Sequence, residues 1–160
     1  MLLPDLAATE ALAARLAQRL VPGDAVLLEG PLGAGKSAFA RALIRAAAAD
    51  PTLEVPSPSF TLVQSYATRR GTIHHFDLWR LADAGSPGAP ADLAELGWHQ
   101  ALADIVVVEW PDRLGALWPA RAIRIVLAPA SVAWAGGDAR EATITGWDPV
   151  AGAEPRRGAR

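Results

Sequence analysis

Gly30, Pro31, Leu32, Gly33, Ala34, Gly35, Lys36 and Ser37 form a glycine-rich run that ends in an ammonium group and a hydroxyl. The spacing is GxxxxGK[ST], a pattern in which glycines let the backbone wrap an anion so that its N–H groups become the binding surface. Such a loop cradles nucleotide phosphates. Lys36 would reach the outer phosphates as a point charge, and Ser37 would offer its hydroxyl to magnesium. Lys36 is the only lysine in a chain whose other basic residues are all arginine, which argues against chance at this position. The nucleotide-contacting residues expected from this run are Gly30, Gly33, Ala34, Gly35, Lys36, Ser37 and the following Ala38.

Phosphoryl chemistry also needs a carboxylate at a strand end, to hold magnesium or orient water. Glu109 directly follows the four β-branched residues Ile105 to Val108 and has that placement. A carboxylate ending a strand at the surface is the competing reading. Asp77, in His74-His75-Phe76-Asp77-Leu78-Trp79-Arg80, could supply a second carboxylate beside Lys36 and Glu109, and spacing leaves open which of the two acidic residues holds magnesium and which orients water. His74 and His75 are neighbours on a strand and point to opposite faces, which argues against one shared metal. With His99, they are assigned structural roles. Trp110, beside Glu109, is a candidate for stacking on a base or a partner, while core packing is expected for the other tryptophans.

These residues need a scaffold. Leu12, Leu16 and Leu20 recur every fourth position over Ala7 to Leu20, which predicts an amphipathic helix capped by Asp5 or Thr9. Pro22, Gly23 and Asp24 break it before an apolar strand, Ala25 to Glu29. A second helix runs from about Lys36 to Ala49, burying Phe39, Leu43 and Ala46 or Ala47, and stops at Asp50 and Pro51. Pro56, Ser57 and Pro58 hold the chain extended ahead of an antiparallel hairpin, Thr61 to Ala67 and Thr72 to Leu78, joined by Thr68 to Gly71. A surface loop is expected over Ala84 to Ala91, then a short helix over Asp92 to Leu102, and strands at Ile105 to Val108, Ala122 to Leu127 and Glu141 to Thr145. The alternation predicts an α/β fold: a three-layer P-loop NTPase architecture with a mainly parallel central sheet and antiparallel additions. One domain, residues 1–147, is expected, with a loose tail over 148–160.

Composition narrows the function. The chain has 160 residues, 51% of them hydrophobic, enough for one core. A net charge of -2 supplies no broad basic field for holding nucleic acid directly. Cysteine is absent, which removes disulfides, thiolate metal sites and a cysteine nucleophile. The segment from Met1 to Leu6 has no cationic flank and long apolar run, and no stretch reaches the roughly 18 to 20 apolar residues of a membrane span, so a soluble, cytoplasmic chain is expected. Asparagine is absent, so the guanine-reading NKxD motif cannot exist, and ATP is the expected nucleotide.

Taken in order, GPLGAGKS, SPSFTLVQSY, HHFDLWRL, AELG and VVVEWPDRL resemble the TsaE (YjeE) family of bacterial ATPases, from about Thr9 to Thr145. The resemblance implies an ATP hydrolase that uses MgATP, works with TsaB and TsaD, and supports threonylcarbamoyladenosine formation beside the tRNA anticodon. TsaD would perform the transfer and tRNA would be met only through the complex, with no membrane involved. It further implies that Gly33 to Ser37 bind phosphates, that Ser37 and Glu109 hold magnesium, and that Asp77 assists hydrolysis. Ser59 and Thr61 would belong to a switch-like segment, Thr9 would lie near the adenine, and Trp110 matches the family's tryptophan after the glutamate. Pro31, Ser37, Ser59 and Trp79 depart from the residues frequent in the family, though both serines keep the hydroxyl.

Turnover is expected to be weak alone and stimulated by partners, since groups supplied in trans are worth about 10³ to 10⁵ in rate. Two alternatives stand beside the ATPase: a small-molecule kinase, which would need an acceptor pocket and an arginine-bearing lid, and a nucleotide-gated switch with negligible hydrolysis whose Pro58 to Val63 segment rearranges on binding.

Overall fold

A computed structural model describes residues 1–81, 89–130 and 139–147. A seven-stranded sheet runs in the order β1-β7-β6-β2-β5-β4-β3, with β1 Leu2–Leu3, β2 Ala25–Glu29, β3 Val63–Thr68, β4 Gly71–Asp77, β5 Ile105–Glu109, β6 Ile123–Pro129 and β7 Arg140–Thr145. The four central strands β6, β2, β5 and β4 are mutually parallel, while β3, β7 and β1 add antiparallel pairs at the two sides. This is the expected mainly parallel sheet with antiparallel additions.

β2 and β5 are almost wholly buried, as continuous apolar runs in a sheet covered on both faces must be. One face packs against helices α1 (Leu6–Ala17) and α2 (Lys36–Ala48), around Leu12, Leu16, Phe39, Leu43, Val26 and Val107. The other packs against α3 (Ala89–Glu95), α4 (Trp98–Ala101) and a 3₁₀ segment, Pro111–Leu117, around Leu27, Phe76, Trp98 and Val108. The result is three layers. Trp98 is fully buried and meets Phe76 edge-on, with ring centroids 5.3 Å apart, in the packing role expected of most of the tryptophans.

Asp5 caps α1 by accepting from the Ala8 amide at 2.7 Å, deciding the choice between Asp5 and Thr9. Thr9 lies one turn inside and is buried. α1 ends at Ala17 rather than Leu20; Leu20 is still fully buried, so the four-residue apolar recurrence outlasted the helix itself. α2 ends as expected: Ala49 takes a left-handed φ of 54° and the Asp50 amide reaches back to Arg45 O at 3.1 Å.

Three expectations are corrected. The hairpin strands are shifted to 63–68 and 71–77: Leu62, at φ 64°, bends the chain directly before the first, and pairing continues to Thr68 opposite Gly71 at the turn. The helix expected over Asp92 to Leu102 is two helices, divided at Gly97, which takes φ 76°. Its first part starts at Ala89, so the end of the loop expected over Ala84 to Ala91 is helical; the remainder of that loop and the expected tail lie outside the described residues. β1 has only two residues and carries no periodicity to read. No described helix is long and apolar enough to cross a membrane.

Phe39 is fully buried between α2 and the sheet. Phe39→Ala is expected to cost about 3–5 kcal/mol of stability through the cavity it leaves, checked as a drop in the urea midpoint with an unchanged slope.

Candidate functional site

The site lies where β2, β4 and β5 end, at the carboxyl edge of the parallel strands, the usual ligand crevice of open α/β sheets. The loop after β2 turns back on itself to open α2. Gly30, at φ 139°, is pressed so close to β6 that a Cβ would stand 2.1 Å from Leu127 O, and only glycine fits there. Gly35, at φ 102°, is the N-cap of α2 and provides no side-chain cap, so the first-turn amides of the helix remain available to an anion.

Lys36 is 5% exposed. Its Nζ donates to Gly30 O at 2.8 Å and Pro31 O at 2.9 Å, and stands 3.8 Å from the centre of the Trp110 ring. Burial pushes its pKa below the ordinary lysine range, opposed by the carboxylates of Glu109, Asp77 and Asp112. Trp110 reaches this position through a left-handed turn, φ 59° and ψ 52°, directly after Glu109. A non-glycine residue there stores strain of about 1–3 kcal/mol, a feature that clusters at functional sites.

Ser37 Oγ donates to Glu109 Oε2 at 2.8 Å, and Glu109 Oε1 meets His75 Nε2 at 2.9 Å. Glu109 is 2% exposed, which removes the reading of a surface carboxylate. Asp77, level with Glu109 in the β4–β5 register, is 4% exposed. Its Oδ2 accepts from Ser57 Oγ at 2.6 Å and Ser59 Oγ at 2.7 Å, and its Oδ1 from the Trp79 amide at 3.2 Å. Ser57, Ser59, Asp77, Trp79 and Glu109, though not His75, line one cavity of about 340 Å³ with Leu32, Gly33, Gly35, Lys36, Ser37 and Ala38.

A hydroxyl and a carboxylate oxygen side by side are hard donors, few in number. Magnesium suits such a set, because it is bound by one or two protein oxygens and completes its shell with phosphate oxygens and water. Among the described residues no group of three or more His, Cys, Asp or Glu side chains could hold a metal by itself.

Of the remaining expected residues, Thr9 is placed beside the loop: with Leu6, Gly35, Ala38 and Arg140 it lines a cavity of about 260 Å³. Gly30 and Ala34 stand behind the loop, Ala34 in the core. Ser59 lines the main cavity, whereas Thr61 is exposed and does not. His74 bonds Ser65 and Asp104, and His99 is exposed.

Three contributors were missed. His75, assigned a structural role, holds Glu109. Ser57 shares Asp77 with Ser59, and its two-residue spacing from Ser59 was the available signal. Trp79 packs against Trp110 at a tilt of 47° with ring centroids 4.4 Å apart, a contact no sequence spacing announces.

A family model for threonylcarbamoyl adenosine biosynthesis protein TsaE matches residues 3–134. The chain is similar to a tRNA threonylcarbamoyladenosine biosynthesis protein TsaE of Rickettsia felis, 42% identical over 105 residues, covering 65% of this chain and 57% of that protein. It is similar to the protein of that name from Mycobacterium tuberculosis, 40% identical over 116 residues, covering 70% of this chain and 68% of that protein. The matches thus span little more than half the length of the Rickettsia felis protein and of the protein of that name from Rickettsia conorii. In structure it resembles the crystal structure of Bacillus subtilus YdiB, with a TM-score of 0.67 at 24% identity over 90% of this chain and 82% of that one, a likeness of fold.

With a single lysine, labelled lysine gives one side-chain resonance. The Lys36 ammonium is expected to titrate below a free lysine side chain and to move upward when MgADP adds negative charge. Because the folded pKa lies below the unfolded one, the unfolded chain binds more protons between the two. The stability contribution of Lys36 therefore rises with pH through that interval. A midpoint at or above that of free lysine would contradict the burial described. Gly30→Ala is expected to cost roughly 3 kcal/mol or more, through backbone strain and overlap with Leu127, read from thermal unfolding.

Proposed function

The chain belongs to the TsaE family, and from that premise we propose that it is a magnesium-dependent ATPase that supports threonylcarbamoyladenosine modification of tRNA, acting in the cytoplasm with TsaB and TsaD. The observation that carries this reading is the convergence of Lys36, Ser37, Asp77 and Glu109 on one cavity beneath the amino end of α2.

In this reading Gly33 to Ala38 present backbone amides to the phosphates, and Lys36 exchanges its two carbonyl partners for phosphate oxygens as it follows the nucleotide. Ser37 and Glu109 would hold magnesium, whose part is to neutralise charge on the phosphate oxygens. Thr9, with Leu6 and Arg140, borders the side of the loop where the base would lie. Acceleration comes from alignment and electrostatics rather than from covalent catalysis. Asp77 orients the attacking water once Ser57 and Ser59 loosen from its Oδ2, so that the segment Pro58 to Val63 controls when hydrolysis proceeds.

That same pair of hydroxyl bonds favours a second reading, the nucleotide-gated switch, in which the segment rearranges without turnover. Phosphate release separates the two. With TsaB, TsaD and tRNA present, release is expected to rise well above that of the chain alone, and Glu109→Ala to lower the stimulated rate roughly 10²-fold or more, the usual cost of losing one electrostatic group in such a site. Stoichiometric ATP binding without any release would favour the switch, and an unchanged rate in Glu109→Ala would remove Glu109 from the mechanism.

A further inference from the structure

His75 lies on β4, one pleat before Asp77 and on the same face as Ile73, which packs into the core under α1 and α2. It is 1% exposed. A leucine or valine would suit that environment, and a histidine there leaves a polar ring in a dry place. Its Nε2 is 2.9 Å from Glu109 Oε1, while its Nδ1 is buried with no hydrogen-bonding partner among the described residues. A carboxylate can only accept, so the proton of a neutral ring sits on Nε2 and the lone pair of Nδ1 stays unsatisfied. The ring therefore commits its one donor to the glutamate at the expense of its other nitrogen, unlike His74, both of whose nitrogens have partners at the sheet's rim.

Glu109 closes β5, and its side chain is free to turn about its torsions unless something fixes one oxygen. The two bonds it makes use different oxygens: Oε1 toward His75 and Oε2 toward Ser37 Oγ at 2.8 Å. Fixing Oε1 aims Oε2 at the hydroxyl that opens α2. We propose that His75 is a positioning residue, which clamps Glu109 Oε1 so that Oε2 and Ser37 Oγ together present a preformed pair of oxygens to the magnesium of a bound nucleotide. This rests on the magnesium-dependent nucleotide reading above. Outer groups that orient a metal's ligands typically contribute about 10- to 100-fold in metal affinity.

The test is binding rather than turnover. A fluorescent ATP analogue is titrated onto the full chain in EDTA and again across a magnesium series, for the parent, His75→Leu, His75→Gln, Glu109→Ala and the double variant His75→Leu with Glu109→Ala. In His75→Leu the magnesium concentration for half-maximal enhancement is expected to rise about 10-fold or more, with metal-free affinity and thermal midpoint near those of the parent. His75→Gln, which keeps a donor, recovers most of the loss. In the Glu109→Ala background His75→Leu adds nothing, since the group it positions is gone.

A magnesium requirement in His75→Leu within two-fold of the parent, or equal losses in EDTA and magnesium, would make His75 a packing residue only and overturn the inference. If His75→Leu fails to fold, His75→Gln and the Glu109→Ala background decide it: a Gln variant as impaired as Glu109→Ala overturns it, and one near the parent supports it. A parent whose nucleotide binding ignores magnesium would overturn the broader reading as well, which distinguishes that failure from this one.

Discussion

Ser37 and Glu109 stand 72 residues apart in sequence and 2.8 Å apart in space. That contact depends on the parallel pairing of β2 with β5, which sets Leu28 level with Glu109 and so brings the start of the phosphate loop beside the carboxylate. A parallel neighbour needs a long crossover, and the chain supplies α2, the β3–β4 hairpin, α3 and α4 between the two strands. The same pairing extends outward: β4 joins β5 in a register that puts Asp77 opposite Glu109, and β6 joins β2 closely enough that Leu127 leaves no room for a side chain at Gly30. A one-residue slip at either seam would turn these groups to the other face of the sheet.

Around that seam, ordinary folding preferences give way locally. Leu62 and Trp110 both take left-handed backbone conformations, one entering the hairpin and the other leaving β5. Each turn delivers something to the cavity: the first sets the segment whose Ser57 and Ser59 bond Asp77, the second lays an indole over Lys36. Lys36 itself is held by two carbonyls of its own loop, so the ammonium is prepositioned near the phosphate path while burial makes its charge less favourable. A phosphate supplies the opposite charge, and the site's electrostatics thus favour the ligand the glycine pattern announces.

Much of this was legible in the sequence because the signals are local. The glycine spacing, the lone Lys36 and the β-branched run before Glu109 are each contained within a few residues, and the β2 and β5 strands and the start of α2 follow from them. The motifs pointed to the family that the comparisons show. The misses concern geometry that arises only on folding. Histidines at 74 and 75 read alike on a strand, and only the sheet register turns one toward Glu109 and leaves the other at the rim. Ser57 looked like part of a proline-held connector until its hydroxyl met Asp77. Gly97 dividing two short helices, and a two-residue β1 held by β7, lie below what periodicity can resolve.

In the proposed MgATP site, backbone amides, one ammonium and a hydroxyl–carboxylate pair act together on the nucleotide. Calorimetric titration of the folded chain with ATP and with ADP, each with and without magnesium, tests it most directly. One saturable site per chain is expected, with an affinity that strengthens when magnesium is supplied. Absence of any binding heat for both nucleotides, in folded protein with magnesium present, would contradict it.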